Sequence, residues 1–206
     1  MKTIKLLLVD DHAVVRMGLA SLLGTRREFC VIGEAGDGEA AILKARTLKP
    51  DVIVMDLVMP DMDGVETTRR IHAEMPGANI LILTSYGSAN GISHALSAGA
   101  RGAILKSVDF PSMVRAIISV SNGEKVLSPE IEQLLANEPP IPPLTSRQEE
   151  VLGSVTQGLS NEQIAAQLNI SLPVVKEHLR ALFTKIGATN RAEAVAIALR
   201  KHLLKI

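Results

Sequence analysis

The sequence predicts an α/β doubly wound domain on a five-stranded parallel sheet, followed by an all-α domain with a helix-turn-helix. Three observations predict this. Between residues 4 and 122, short apolar runs alternate with longer stretches of helical period. Four prolines then fall within residues 139–143. Beyond them no strand-like run appears, and helix-start signals recur.

The apolar runs are 4–9, 29–32, 52–55, 80–83 and 102–105, each read as a buried strand. Helical periods occupy 13–23, 38–48, 65–75, 91–98 and 109–121 between and after them. Five strand–helix units in this order argue a parallel sheet covered on both faces. No G-x-G-x-x-G follows the first strand, so the dinucleotide-binding fingerprint is absent. Residues 127–130 start a short helix, and the prolines of 137–143 favour a semi-rigid spacer. The domains are therefore placed at 1–122 and 144–206, with 123–143 as linker.

In the second domain, Thr145 and Gln148 fit a capping box at a helix start. Gly158 ends that helix, and Ser160 caps the next, over 161–168. A turn at 169–171 leads to a longer helix, 172–186, with Ser171 as its cap and Pro173 tolerated in its first turn. Gly187 stops it, and Thr189 and Asn190 open a last helix to about residue 203. Two helices, a tight turn and a longer helix are the layout of a helix-turn-helix.

Composition fits two packed domains. The chain has 206 residues, 47% hydrophobic but only 2% aromatic, so its cores must be built from aliphatic side chains and Met. No apolar run approaches the ~20 residues that span a bilayer. The N-terminus turns acidic at Asp10, too soon for a signal peptide, and reads as the first strand of a cytoplasmic protein. The single Cys30 excludes an intrachain disulfide and a cysteine zinc site, and is expected as a small buried hydrophobe. The formal charge is zero, but residues 144–206 carry eight Lys/Arg against five Glu. That mild excess permits nucleic-acid contact without demanding it.

The carboxyl edge of the predicted sheet gathers the chemistry. Asp10 and Asp11 end the first strand, Asp56 the third, Thr84 the fourth and Lys106 the fifth. In open α/β sheets this edge is where ligands bind. Three carboxylates with a carbonyl suit a hard cation such as Mg²⁺. An ammonium and a hydroxyl suit the remaining oxygens of a phosphoryl group. Asp56 between them is placed to attack phosphorus and form an aspartyl phosphate. Each residue also has a plain structural reading: a helix cap for Asp10 and Asp11, a strand end for Thr84, a solvated charge for Lys106. From spacing alone the two readings stand level.

A family resemblance decides between them. Asp10-Asp11, Asp56 with Pro60 and Gly64, Thr84, and residues 98–102 before Lys106 resemble the receiver domain of two-component response regulators, a flavodoxin-like fold. Residues 144–152, 158–166 and 175–179 resemble the LuxR-type helix-turn-helix. Together they are similar to the NarL/FixJ subfamily. The resemblance implies that Asp56 is the phosphoacceptor, supplied by the phosphohistidine of a sensor histidine kinase. It implies that Asp10, Asp11, Asp56 and the Val58 carbonyl hold Mg²⁺, that Thr84 swings toward the phosphate, and that Lys106 pairs with it. Val58 and Tyr86 match two variable positions that influence phosphate lifetime. The chain departs from the family twice. Ala103 stands where receivers usually carry the aromatic switch, with Tyr86 as the one candidate substitute. Ser107, not proline, follows the lysine, and a cis bond there would be costly.

On the third helix of the C-terminal domain, Lys176, Arg180 and Lys185 are expected near one face, with His178 and Thr184 nearby. Basic groups there would neutralise phosphates, and polar ones would read base edges in the major groove. Carried over from the family, Val174, Lys176, Glu177, His178 and Arg180 sit at or near DNA-facing positions. Glu177 departs from the neutral residue common there. The function expected is a DNA-binding transcriptional regulator, not an enzyme, that dimerises on phosphorylation and binds a double-stranded operator. One alternative is a DNA-binding protein whose receiver is uncoupled from phosphorylation and serves as a dimerisation module. A Mg²⁺-dependent phosphohydrolase ranks last, because no second acid/base carboxylate is spaced after Asp56.

Overall fold

The computed structural model describes residues 3–85, 89–137, 141–142, 144–201 and 203–204. The chain forms two compact units, divided between residues 138 and 139. Tyr86 and the prolines 139, 140 and 143 lie outside the described residues.

In the first unit, strands β1 (Ile4–Val9), β2 (Phe29–Ala35), β3 (Val52–Met55), β4 (Ile80–Thr84) and β5 (Gly102–Leu105) alternate with helices α1 (Ala13–Gly24), α2 (Gly38–Leu48), α3 (Gly64–Glu74), α4 (Ala89–Ser97) and α5 (Phe110–Ser121). All pair in parallel, in the order β2-β1-β3-β4-β5, with a sixth strand, β6 (Val126–Leu127), beside β5. Side-chain alternation along the strands assigns the layers. Leu7, Val9, Ile53, Met55, Ile80, Ile82 and Ala103 face α2, α3 and α4. Leu6, Leu8, Val52, Val54, Leu81, Leu83 and Ile104 face α1 and α5. Because both faces are covered, β3 and β4 are buried at every residue, which is why they read as unbroken apolar runs.

Among the described residues the sheet has six strands where five were expected. β6 (Val126–Leu127) pairs with Gly102 and Ala103 of β5. Two residues are too short to show a strand period, and this strand exists only through its partner. The helix that follows, α6 (Pro129–Asn137), buries Ile131 completely in the same cluster as Ala103 and Ile92. Residues 123–137, expected as linker, thus pack on the first unit.

β2 runs past its expected end at residue 32. The pairing register shifts between Leu6 and Leu7, after which Gly33 to Ala35 continue the ladder with Leu7 to Val9. A side chain at Gly33 would meet the Leu48 methyl at 2.6 Å. Cys30, expected inside, is exposed. It sits on an edge strand with a neighbour on one side only, and the apolar run around it does not imply burial on both faces.

The second unit holds α7 (Ser146–Thr156), α8 (Asn161–Leu168), α9 (Leu172–Ile186) and α10 (Arg191–Arg200). Thr145 with Gln148 and Ser160 with Gln163 each form a complete capping box. Ser171 occupies the N-cap position of α9, but its side chain makes no capping bond. Asn169, in the left-handed region at φ 50°, turns the chain between α8 and α9, and Gly187 at φ 76° closes α9. Val151, Leu152, Val155, Ile164, Val175, Leu179, Leu182 and Ala194 make its core. Among the described residues no helix is long and apolar enough to cross a membrane.

Candidate functional site

The carboxyl edge of the sheet places Asp10, Asp56, Thr84 and Lys106 as the sequence predicts. Each arrives at the end of a strand or one residue beyond it. Backbone bonds fix these ends. The Asp56 amide donates to the Val9 carbonyl at 2.8 Å, and the Lys106 amide donates to the Thr84 carbonyl at 2.7 Å. Gly64 brings α3 against this edge. A Cβ there would lie 2.3 Å from the Asp56 carbonyl oxygen, while its own amide donates to Leu57 at 2.9 Å. Only a residue without a side chain fits that approach. Asp63 caps α3 by accepting from the Glu66 amide.

Asp10 and Asp56 are buried, at 2% and 6% exposure, and Thr84 at 1%. The Lys106 ammonium bridges the two carboxylates, donating to Asp10 Oδ2 at 2.5 Å and to Asp56 Oδ2 at 2.8 Å. Asp56 Oδ1 accepts from the Leu57 amide at 2.7 Å. Burial pushes the Asp56 carboxyl above the ordinary aspartate range; Lys106 opposes the shift, and the neighbouring charge of Asp10 adds to it. Burial alone would lower the Lys106 pKa, but its bonds to Asp10 and Asp56 outweigh that and hold it above the usual lysine value.

Two residues that the sequence pattern does not single out join this site. His12 Nδ1 lies 2.8 Å from Asp11 Oδ1 and 3.5 Å from Asp10 Oδ1, and its amide donates to Asp10 Oδ1 at 2.9 Å. Arg16, one turn along α1, donates to the Asp10 carbonyl at 2.6 Å and approaches Glu34 at 3.5 Å. The signal for both was local: a histidine directly after paired aspartates, and an arginine one helical turn later.

Ligand atoms of Asp10, Asp11, His12 and Asp56 all lie within 4.8 Å of one another. Three carboxylates gather here, and the Lys106 ammonium bonds to only two of them, so negative charge is in excess if all ionise. Such a donor set fits a hard divalent cation, which relieves the repulsion and leaves positions for waters or a phosphate oxygen. Val58, whose carbonyl was the fourth expected ligand, is 65% exposed at this rim.

In the second unit, α9 buries Val175, Leu179, Leu182 and Ile186. Its opposite face exposes Lys176, Glu177 and Arg180, with Thr184 one turn further on; Val174 is also exposed, and His178 half-buried. Lys185 departs from expectation. Nine residues at 3.6 per turn place it about 180° from Lys176, so the two do not share a face. Lys185 is half-buried and donates to Gln148 Oε1 at 3.0 Å, the oxygen that also receives the Thr145 amide in the α7 capping box.

Comparison with known proteins matches both units of the chain. The family model described as "Response regulator receiver domain" matches residues 6–118, and that described as "Bacterial regulatory proteins, luxR family" matches 142–198. The chain is 38% identical to the response regulator protein VraR of Staphylococcus aureus, over 98% of this chain and the whole of that protein. Its structure is similar to the crystal structure of ChrA, a response regulator of a heme-sensing two-component system. That similarity comes with 37% identity, 98% coverage of this chain, 100% of that one and a TM-score of 0.59. A complex of the response regulator RcsB with DNA shares the fold at a TM-score of 0.68, covering 96% of this chain and 98% of that one, at 24% identity.

Proposed function

We propose, for a chain that belongs to the two-component response regulators joining a receiver domain to a LuxR-type DNA-binding domain, that Asp56 accepts a phosphoryl group and that this event governs DNA binding. The phosphoacceptor role falls to residues 1–122 and the DNA-binding role to 144–206, in a cytoplasmic regulator without enzymatic turnover of its own. The observation that carries the reading is the Lys106 bridge. It holds a buried, strand-end Asp56 beside Asp10, with Thr84 at the end of the next strand.

The chemistry follows from this arrangement. Asp10, Asp11 and Asp56, with the Val58 carbonyl, would hold Mg²⁺, which when bound neutralises charge on the phosphoryl oxygens. An Asp56 carboxylate oxygen attacks the phosphorus of a phosphohistidine on a sensor histidine kinase. The P–N bond breaks, its electron pair leaves with the imidazole, and an aspartyl phosphate remains. Lys106, already charged, moves its pairing from the carboxylate to a phosphoryl oxygen without changing protonation. The Thr84 hydroxyl turns toward another.

Phosphate at Asp56 then shifts the population toward a dimer that binds paired half-sites on an operator. Val174, Lys176, Glu177, His178 and Arg180 supply the DNA-facing positions of each copy. The test is a DNA-binding titration of the full chain at fixed salt, on pooled genomic fragments, with and without Mg²⁺ and a small phosphodonor. Tighter binding by phosphorylated wild type and not by Asp56→Ala is the expected result.

The uncoupled alternative keeps one specific support, the absence of an aromatic at Ala103. Equal binding in all samples, once phosphorylation of Asp56 is verified by mass, would select it.

A further inference from the structure

Carboxylates alone do not account for the donor set at the sheet edge. His12 belongs to it, and nothing in the phosphoryl chemistry above uses an imidazole of this chain. The ring is 69% exposed, so it is not held there by packing. It occupies the N-cap position of α1 in an extended conformation, φ −84° and ψ 106°, yet its side chain makes no capping bond. Instead the ring turns to the acidic cluster, with Nδ1 at 2.8 Å from Asp11 Oδ1 and 3.5 Å from Asp10 Oδ1.

Those separations match the spacing of atoms that share one cation. Ligands 2.0–2.2 Å from a metal lie about 3.0 Å apart in an octahedron and about 3.4 Å apart in a tetrahedron. The backbone reinforces the geometry, because the His12 amide donates to Asp10 Oδ1 at 2.9 Å and ties the ring's attachment point to the cluster. Nitrogen and oxygen donors are not equivalent in what they select. Carboxylates and carbonyls suit Mg²⁺, whereas imidazole favours first-row transition cations, whose affinities for mixed sites exceed those of harder ions.

We propose that His12 is an additional ligand of the cation site, through Nδ1, and that it gives the site a preference for borderline cations such as Zn²⁺ over Mg²⁺. The cation replaces the proton that Nδ1 shares with Asp11, and that proton passes to solvent or Nε2. The inference rests on the reading of Asp10, Asp11 and Asp56 as a cation site. Its consequence is that a transition cation can occupy the phosphorylation site with His12 as the ligand that sets it apart from Mg²⁺.

The test is calorimetric titration of the full chain with Zn²⁺ and, separately, Mg²⁺, on wild type, His12→Ala, His12→Gln and Asp56→Asn. The imidazole ¹⁵N resonances of His12 are followed during the Zn²⁺ titration. Loss of a ligand should weaken Zn²⁺ by about tenfold or more in both His12 variants, with Mg²⁺ changed less than about twofold. Zn²⁺ should also shift the His12 Nδ1 resonance. Glutamine keeps a hydrogen-bonding group but no imidazole, so full Zn²⁺ affinity in His12→Gln would reduce His12 to a hydrogen-bond partner of Asp11 and overturn the proposal. Equal losses for both cations would overturn it as well, as would unchanged Zn²⁺ affinity in His12→Ala. If Mg²⁺ binding depends on Asp56 while Zn²⁺ ignores His12, only the role of His12 fails. If neither cation responds to Asp56→Asn, the cation site itself fails with it.

Discussion

Ala103 and Ile131 are both fully buried in one apolar cluster, and the chain between them is pinned where the Ser128 amide donates to the Ala103 carbonyl at 3.1 Å. The strand that carries Lys106 is therefore tied to α6, the last helix before the spacer. Where receivers usually place an aromatic ring, this chain has a methyl group, with Leu127, Leu134 and Leu135 also packed against the cluster. Truncating Ile131 to Ala should cost about 2–5 kcal/mol, the range for a large aliphatic cut back in a core. Ala103→Phe should cost about 1–3 kcal/mol by overpacking. If α6 fills the space an aromatic would take, the double variant should be less destabilised than the sum of the singles. Chemical denaturation of all three checks this, and strict additivity would remove α6 from the neighbourhood of Ala103.

Asp56 carries a stability signature of its own. Its folded pKa lies above the ordinary 3.8, with burial as the main cause. The folded state therefore holds its proton more tightly than the unfolded chain does. The stabilisation from that proton is present in full below 3.8 and is lost as pH rises through the raised folded value. At neutral pH without divalent cations, the ionised Asp56 is a net liability beside Asp10. Asp56→Asn should then melt higher than wild type in chelator, as read by thermal melts. Millimolar Mg²⁺ should stabilise wild type and leave the variant nearly unchanged. A variant that melts lower than wild type in chelator would show that the Lys106 pair outweighs the burial cost.

Gly64 offers a test of the loop between β3 and α3. Its missing Cβ would sit 2.3 Å from the Asp56 carbonyl and 2.9 Å from the Leu57 Cα, both backbone atoms with little freedom to yield. Gly64→Ala should destabilise by about 1–3 kcal/mol and slow phosphorylation of Asp56, read by mass after exposure to a small phosphodonor. Gly77→Ala, on an open surface with nothing within 4 Å, is the control.

Much of this was legible in the sequence, because β3 and β4 are covered on both faces and α7 and α8 announce their starts with capping residues. What was hidden depends on distant partners. Val126-Leu127 carries no period of its own and becomes a strand only by lying beside Gly102 and Ala103. The apolar residues of α6 are visible in the sequence, but the prolines after it predict a linker, whereas Ile131, Leu134 and Leu135 pack back on the sheet. Cys30 looked buried because Phe29 and Val31 flank it, and edge position is not a local property. The sequence places His12 directly after paired aspartates but does not say where its ring turns.

The exposed and buried faces of α9 carry different side chains, and the proposed DNA contact belongs to the exposed one. Lys176 and Arg180 project from the face opposite the core, where a phosphate backbone can reach them, while Lys185 is half-buried against Gln148. Each phosphate neutralised releases counterions, so removing one contact should lower the slope of log affinity against log salt by about 0.9. Lys176→Ala and Arg180→Ala should each show that drop and weaken binding across all sequences alike, with little change in Tm. Lys185→Ala should do the reverse: an unchanged salt slope, and a stability loss of about 0.5–1.5 kcal/mol from the lost bond to the α7 capping box. Binding titrations at several salt concentrations, paired with thermal melts, distinguish the classes. A salt slope lowered by Lys185→Ala would mean that its ammonium leaves Gln148 for DNA, and that the face assigned to contact is wider than its exposed residues.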